Sequence, residues 1–273
     1  MRRFLQQGAM TSPGKYASAF DALPDDVSSL LTVVQGLFVH SDFLDIHGLA
    51  GSAFSTRSRE TLPVEKRLDQ IFQISNQALQ IARPVDHRAV GTCRDYALMM
   101  CGLLWHKSFD ARVRCGFAQY FVPGRYEDHW LCEYRCADTG RWVRVDAQMD
   151  EAHRDHLAIA FDPSDVPDGA FVTAVEAWDL VRTGKAAPEL FGHGDAAGAW
   201  FLWVNLARDY FALCGQEVSP WDSWRSALGR DQEIDPATQE TCERIAAAIR
   251  NVECAPEEMR TMLRLQPFWS AAR

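Results

Sequence analysis

Three residue types that together perform nucleophilic acyl chemistry occur in order within 54 residues: Cys93 in GTCRDYA, His129 in EDHWLCEY and Asp146 in RWVRVDAQ. A thiol near neutral pH is mostly protonated, and the thiolate is the nucleophile. The first turn of a helix carries unpaired N–H groups and a partial positive charge, and both favour the thiolate. An imidazole can pair with that thiolate and later protonate a leaving amine. A carboxylate on the far ring nitrogen fixes the tautomer and the ring orientation. The backbone N–H of Cys93 would itself be one oxyanion donor. Taken singly, each residue has a plainer reading: a small buried thiol, a histidine at a strand end, a strand-terminating aspartate. Their joint order on a helix and two following strands favours a functional site, with Cys93 as nucleophile, His129 as general acid/base and Asp146 as orienter.

The elements that must position them can be read from pattern. A strong helix is predicted from Cys93 to about Lys107, with Thr92 as N-cap. Asp95 stands where a capping box carries its acid. Residues 112–122 read as a strand and PGRYED as a turn. Residues 129–136 and 141–147 alternate around ADTG and form a hairpin. On its first strand His129, Leu131, Glu133 and Arg135 share a face; on the return strand Trp142, Arg144 and Asp146 do. His129 and Asp146 face the same way only if paired residue numbers sum to an odd number. A two- or four-residue loop gives that parity, whereas a three-residue loop with a Gly140 bulge does not.

Upstream, residues 24–40 have helical spacing (Val27, Leu30, Leu31, Val34, Leu37), as does the stretch from Pro63 to about Ala82 (Leu68, Ile71, Phe72, Ile74, Leu79). Residues 48–62 read as a polar loop. Beyond Asp162 the chain reads as helical over about 172–183, 196–214 and 236–265, with WDSW as a loop. The expected organisation is a disordered 1–20, a core over 21–165 and a helical C-terminal region over 166–273.

The block from Arg88 to Ala147 resembles the core of the transglutaminase-like superfamily, of bacterial type and papain-like fold. GTCRDYA matches the family's start of the core helix, ARVRCGF at 111–117 its next strand, DHWLCEY its histidine strand and WVRVD at 142–146 its aspartate strand. The resemblance covers about 60 residues, and the helix over 63–82 fits the family's preceding helix. It implies an α+β fold, with a Cys-bearing helix on an antiparallel sheet that carries His and Asp. It also implies the roles already given to Cys93, His129 and Asp146. The implied activity is acyl transfer or hydrolysis on an amide or peptide through a thioester. A cysteine peptidase, or an inactive scaffold that only binds, are the alternatives. The family's upstream tryptophan has no counterpart, since no Trp precedes Trp105; Gln73, Asn76, Gln77, Gln80 or His87 could donate in its place.

The rest of the composition bounds the setting. The chain has 273 residues, 47% of them hydrophobic, enough for a full core, and a net charge of -9 that argues against nucleic acid or anionic membrane as partner. A protein, a peptide or a small amide remains as substrate. MRRFLQQGAM lacks the apolar run of a leader, and the eight cysteines do not cluster as a secreted framework would. They read as reduced thiols in a cytoplasmic protein. No cofactor is expected. No metal is expected either, because Cys132 and Cys136 face away from His129 on their strand. His153 and His156 read as residues of a solvated loop and Glu127 and Asp128 as facing water; Arg208 and Asp209 read as residues in buried structural ion pairing, with cleft-lining as the alternative.

Overall fold

The structure, a computed structural model, describes residues 7–51, 53–222, 234–250, 252 and 256–267. Residues 1–6, Trp224 of the WDSW loop and Cys254, one of the eight cysteines, lie outside them. The class is α+β. By contacts the chain divides into two units, one of Arg2–Arg112 with Leu131–Val166, the other of Val113–Trp130 with Pro167–Arg273. The expected boundary at 165/166 falls beside the crossing at 166/167; the crossings at 112/113 and 130/131 pass through strands.

The first unit contains α1 (Ala17–Asp21), α2 (Val27–Gln35), β1 (Phe38–His40), α3 (Val64–Ile74), β2 (Ala89–Gly91) and α4 (Cys93–His106). β3 (Ala111–Ala118) begins in it, and β4 (Tyr126–Arg135) ends in it. β5 (Trp142–Val145) and α5 (Glu151–Leu157) complete it. The second unit holds the remainder of β3 and β4, then β6 (Phe171–Thr173), α6 (Ala174–Arg182), β7 (Phe191–His193), β8 (Ala196–Ala197), α7 (Ala199–Leu213), α8 (Pro236–Arg250) and α9 (Pro256–Leu263).

α4 is the centre of the first unit. Every residue from Arg94 to Trp105 is buried, as expected of a helix that is apolar on all sides. Gly102 permits a close approach: a Cβ there would lie 2.6 Å from the Thr11 carbonyl oxygen. Gln7 Nε2 donates to the Gly102 oxygen at 2.9 Å, and the Val64 N–H donates to the Met10 oxygen. Met10, Thr11 and Phe20 are buried. Residues 7–20 are therefore packed and partly helical rather than disordered, because a helical glycine gives their backbone a seat.

The helix expected over 24–40 stops at Gln35. Gly36 ends it, and Phe38–His40 form β1, paired in parallel with Ala89–Gly91 of β2. Leu37 continues the helical spacing, but a strand some 50 positions away claims the residues that follow it. Similarly, Thr173 ends β6 before it caps α6, its N–H donating to Glu176 Oε2 at 2.7 Å.

Strands hydrogen-bond in the order β6-β3-β4-β7-β8, with β5 on β4. The sheet is mixed rather than antiparallel, since β4 and β7 run parallel. Gly192 lies within β7, and a Cβ there would come within 2.0 Å of the Ala196 oxygen, so only glycine lets this short hairpin close. Among the described residues, no helix is long and apolar enough to cross a membrane.

Candidate functional site

Cys93 is the first residue of α4, a half-buried free thiol. The turn that carries it is held twice. Thr92 and Asp95 form a capping box, in which the Thr92 N–H donates to Asp95 Oδ2 at 2.8 Å. The other Asp95 oxygen accepts from Arg67 Nε at 3.1 Å and Nη2 at 2.7 Å. Arg67, from α3, also donates to the Val90 and Glu60 carbonyls and to Gln70 Oε1. This one guanidinium thus ties α3, β2 and the start of α4 together. The sequence marks Asp95 but gives no sign of Arg67, a buried cation on an otherwise ordinary amphipathic helix.

Asp146 lies in the same unit, directly after β5, and is 1% exposed. Its N–H donates to the Pro163 oxygen at 2.8 Å, and its Oδ1 accepts from the Gln148 N–H at 3.0 Å. β4 and β5 pair Cys132 with Val145, Glu133 with Arg144 and Arg135 with Trp142. Each pair sums to an odd number. The Cys136 N–H donates to the Arg141 oxygen, so ADTG is a four-residue loop, the alternative that gives the required parity. On the face of Glu133 and Arg144, the Glu133 carboxylate accepts from Arg112 Nε at 2.8 Å, and Arg112 lies 3.9 Å over the Trp142 ring.

His129, on β4, belongs to the second unit and is 1% exposed. Its ring stands edge-on among Phe121 (5.0 Å between centroids), Tyr120 (5.9 Å) and Phe171 (6.3 Å). Three aromatic walls limit the ring's rotation. Tyr120 and Phe121, read as the end of a strand, lie beyond β3 and form two of these walls.

The neighbouring positions of β4 are anchored rather than wet, which corrects the reading of Glu127 and Asp128. Asp128 accepts from Arg208 Nη1 at 3.0 Å on both oxygens and from Asn205 Nδ2 at 2.8 Å. Arg208 also lies 4.8 Å over the Trp130 ring. Glu127 is buried and accepts from the Gly194 N–H. Asp209 takes a two-pronged bond from Arg114, at 2.9 and 2.8 Å, and one from the Cys115 N–H at 3.0 Å. Arg208 and Asp209 are thus both buried in ion pairs, each with its own partner.

His153 is not on a loop. It lies on α5 and is fully buried, with His47 and Asp150 beside it. Among the described residues, no cluster of metal-ligand types includes His129, Cys132 or Cys136.

No protein-family model matches the chain, and no curated protein sequence matches it. Among solved structures, the chain is similar to a protein from Cytophaga hutchinsonii provisionally described as a cysteine protease. The identity is 19% and the TM-score 0.34, over 62% of this chain and 44% of that one. The chain thus spans less than half of that neighbour, at a likeness too slight to carry an argument on fold or activity.

Proposed function

We propose that the protein is a cysteine-dependent acyl enzyme acting on an amide or peptide, of transglutaminase-like type. Cys93 attacks the carbonyl carbon of the substrate and forms a thioester. His129 accepts the thiol proton and passes it to the leaving amine. Asp146 holds the imidazole. Water or a second amine then takes the acyl group and restores the thiol.

The observation that carries this reading is the start of α4. A half-exposed thiol stands at the first position of a 14-residue helix whose N-terminal turn is clamped by a capping box and a buried guanidinium. A helix N-terminus is in general a favourable place for a thiolate and for an oxyanion. The odd register of the β4–β5 hairpin supports Asp146 as the orienting carboxylate. The aromatic walls around His129 suit a ring that must keep one orientation.

Two measurements test it. Cys93→Ala should abolish amide hydrolysis and amine incorporation by the purified protein, a loss of at least about a thousandfold, and His129→Ala should lose about a hundredfold or more. At pH 6, iodoacetamide should modify Cys93 ahead of the other cysteines. An alkylation rate at Cys93 no faster than at Cys136, the other half-buried thiol among the described residues, would leave a scaffold without chemistry. Incorporation of a primary amine, set against plain hydrolysis, separates a transferase from a peptidase.

A further inference from the structure

A second cluster of reactive side chains lies within the first unit, outside the residues assigned above. His47 ends a one-turn helix over Asp45–His47, which Gly48 closes in the left-handed region (φ 71°). Asp150 is the N-cap of α5, and His153 is its third residue. One Asp150 oxygen accepts from the His153 backbone N–H at 3.0 Å and lies 2.7 Å from His153 Nδ1. The other lies 3.8 Å from His47 Nε2. One ligand atom from each of the three residues is within 4.8 Å of the other two.

The nitrogens left over point to a ligand. His153 is 0% exposed, and its Nε2 has no hydrogen-bond partner among the described residues. The His47 side chain is 4% exposed, and its Nε2 is likewise without one. The contact of Nδ1 with Asp150 leaves Nε2 as the unpartnered nitrogen of the His153 ring. A buried imidazole lone pair without a donor is costly unless something binds it.

The site is held by structure that does not depend on a ligand. Leu44 and Leu49, on either side of His47, pack with Val39, Phe54 and Val90 in one apolar cluster. The Phe43 ring lies 5.0 Å from that of His153. Arg88 is the nearest competing cation, its Nη1 3.6 Å from an Asp150 oxygen and so beyond hydrogen-bond distance. It donates instead to the Gln35 and Arg83 carbonyls. The Asp150 oxygen that faces His47 is thus held by Arg88 only in a salt bridge longer than a hydrogen bond, and a bound cation would compete with Arg88 for it.

We propose that His47, Asp150 and His153 bind a borderline divalent cation such as zinc, through one nitrogen of each ring and an Asp150 oxygen. Two imidazoles and one carboxylate suit such ions better than calcium or magnesium, which prefer oxygen donors. Three protein ligands leave a fourth position open to water or another ligand.

The test uses the full chain, stripped with a chelator, kept reduced, and alkylated at its accessible thiols to remove surface cysteines as competitors. Zn2+ is titrated against a chromophoric chelator, and Co2+ is added separately for its absorption spectrum. The expected result is one bound equivalent, with a cobalt spectrum free of thiolate charge transfer. His47→Gln should weaken that equivalent by about tenfold or more while circular dichroism and melting stay unchanged. Asp150→Asn should weaken it as well. His153 is fully buried, so its substitution tests folding as much as binding; His47 is the cleaner position. No bound equivalent in the parent would overturn the proposal, as would one that survives His47→Gln or shows thiolate bands.

Discussion

The start of α4 in one unit and the middle of β4 in the other each fix a candidate catalytic side chain, and each does so with buried pairs of arginine and aspartate. At α4 the anchoring is mostly local. Asp95 closes a cap on a residue three positions before it and only then receives Arg67 from α3. At β4 the anchoring spans distance. Asp128 receives Arg208 and Asn205, and Arg114 of β3 meets Asp209, some 80 to 95 positions apart in each case. A buried pair rarely adds much net stability, because two desolvated charges must recover what they lost. Its physical effect is registry: once formed, any slip strands a charge in a dry interior. The first device fixes one helical turn, and the second fixes a helix upon strands.

Asp209→Ala should separate the two most sharply. It leaves Arg114 buried without its carboxylate and the Cys115 N–H without an acceptor, and should cost about 3–5 kcal/mol in urea unfolding. Amide exchange should quicken along both β3 and α7. A cost below about 1 kcal/mol would show that the pair does not set the register. Asp95→Asn should have the smaller effect, about 1–3 kcal/mol, because the amide can still accept from Thr92 and Arg67 keeps three other acceptors. Its exchange signature should stay within the first turn of α4. Equal spread of exchange in both variants would erase the distinction drawn between local and distant anchoring.

That distinction also sets what could be read from sequence. The N-cap at Thr92, the acid at Asp95 and the parity around ADTG depend on residues within a few positions of each other, where pattern is informative. Cys93, His129 and Asp146 could be nominated for the same reason, since each lies in a short recognisable run. Arg67, the Arg208–Asp128 pair and the aromatic walls of His129 are joined only by tertiary packing, so nothing local announces them. β1 shows the same limit: Leu37 extends the helical spacing of α2, yet the next residues, Phe38 to His40, pair as a strand with Ala89 to Gly91. His153 illustrates the opposite error. A run of charged residues, EAHRDH, suggested solvent, while its one buried member faces Asp150 and His47.

The smallest expected effect tests the local device without burial. Asp26 caps α2 as an exposed residue, its carboxylate accepting from the Ser29 N–H at 2.8 Å. That backbone bond, with the Ser29 hydroxyl second, holds the Asp26 carboxyl below the usual carboxylate range. A carboxyl lowered in the folded state adds stability above its unfolded pKa and loses it as pH falls through the folded one. Asp26→Ala should therefore cost about 1 kcal/mol at pH 7, and the gap from the parent should narrow as pH drops below about 4. Urea midpoints of both proteins at pH 7 and at pH 3 measure it. A gap that stays constant would mean that the neutral carboxyl caps as well as the charged one, and that charge matters at these helix starts only where, as at Asp95, it is buried.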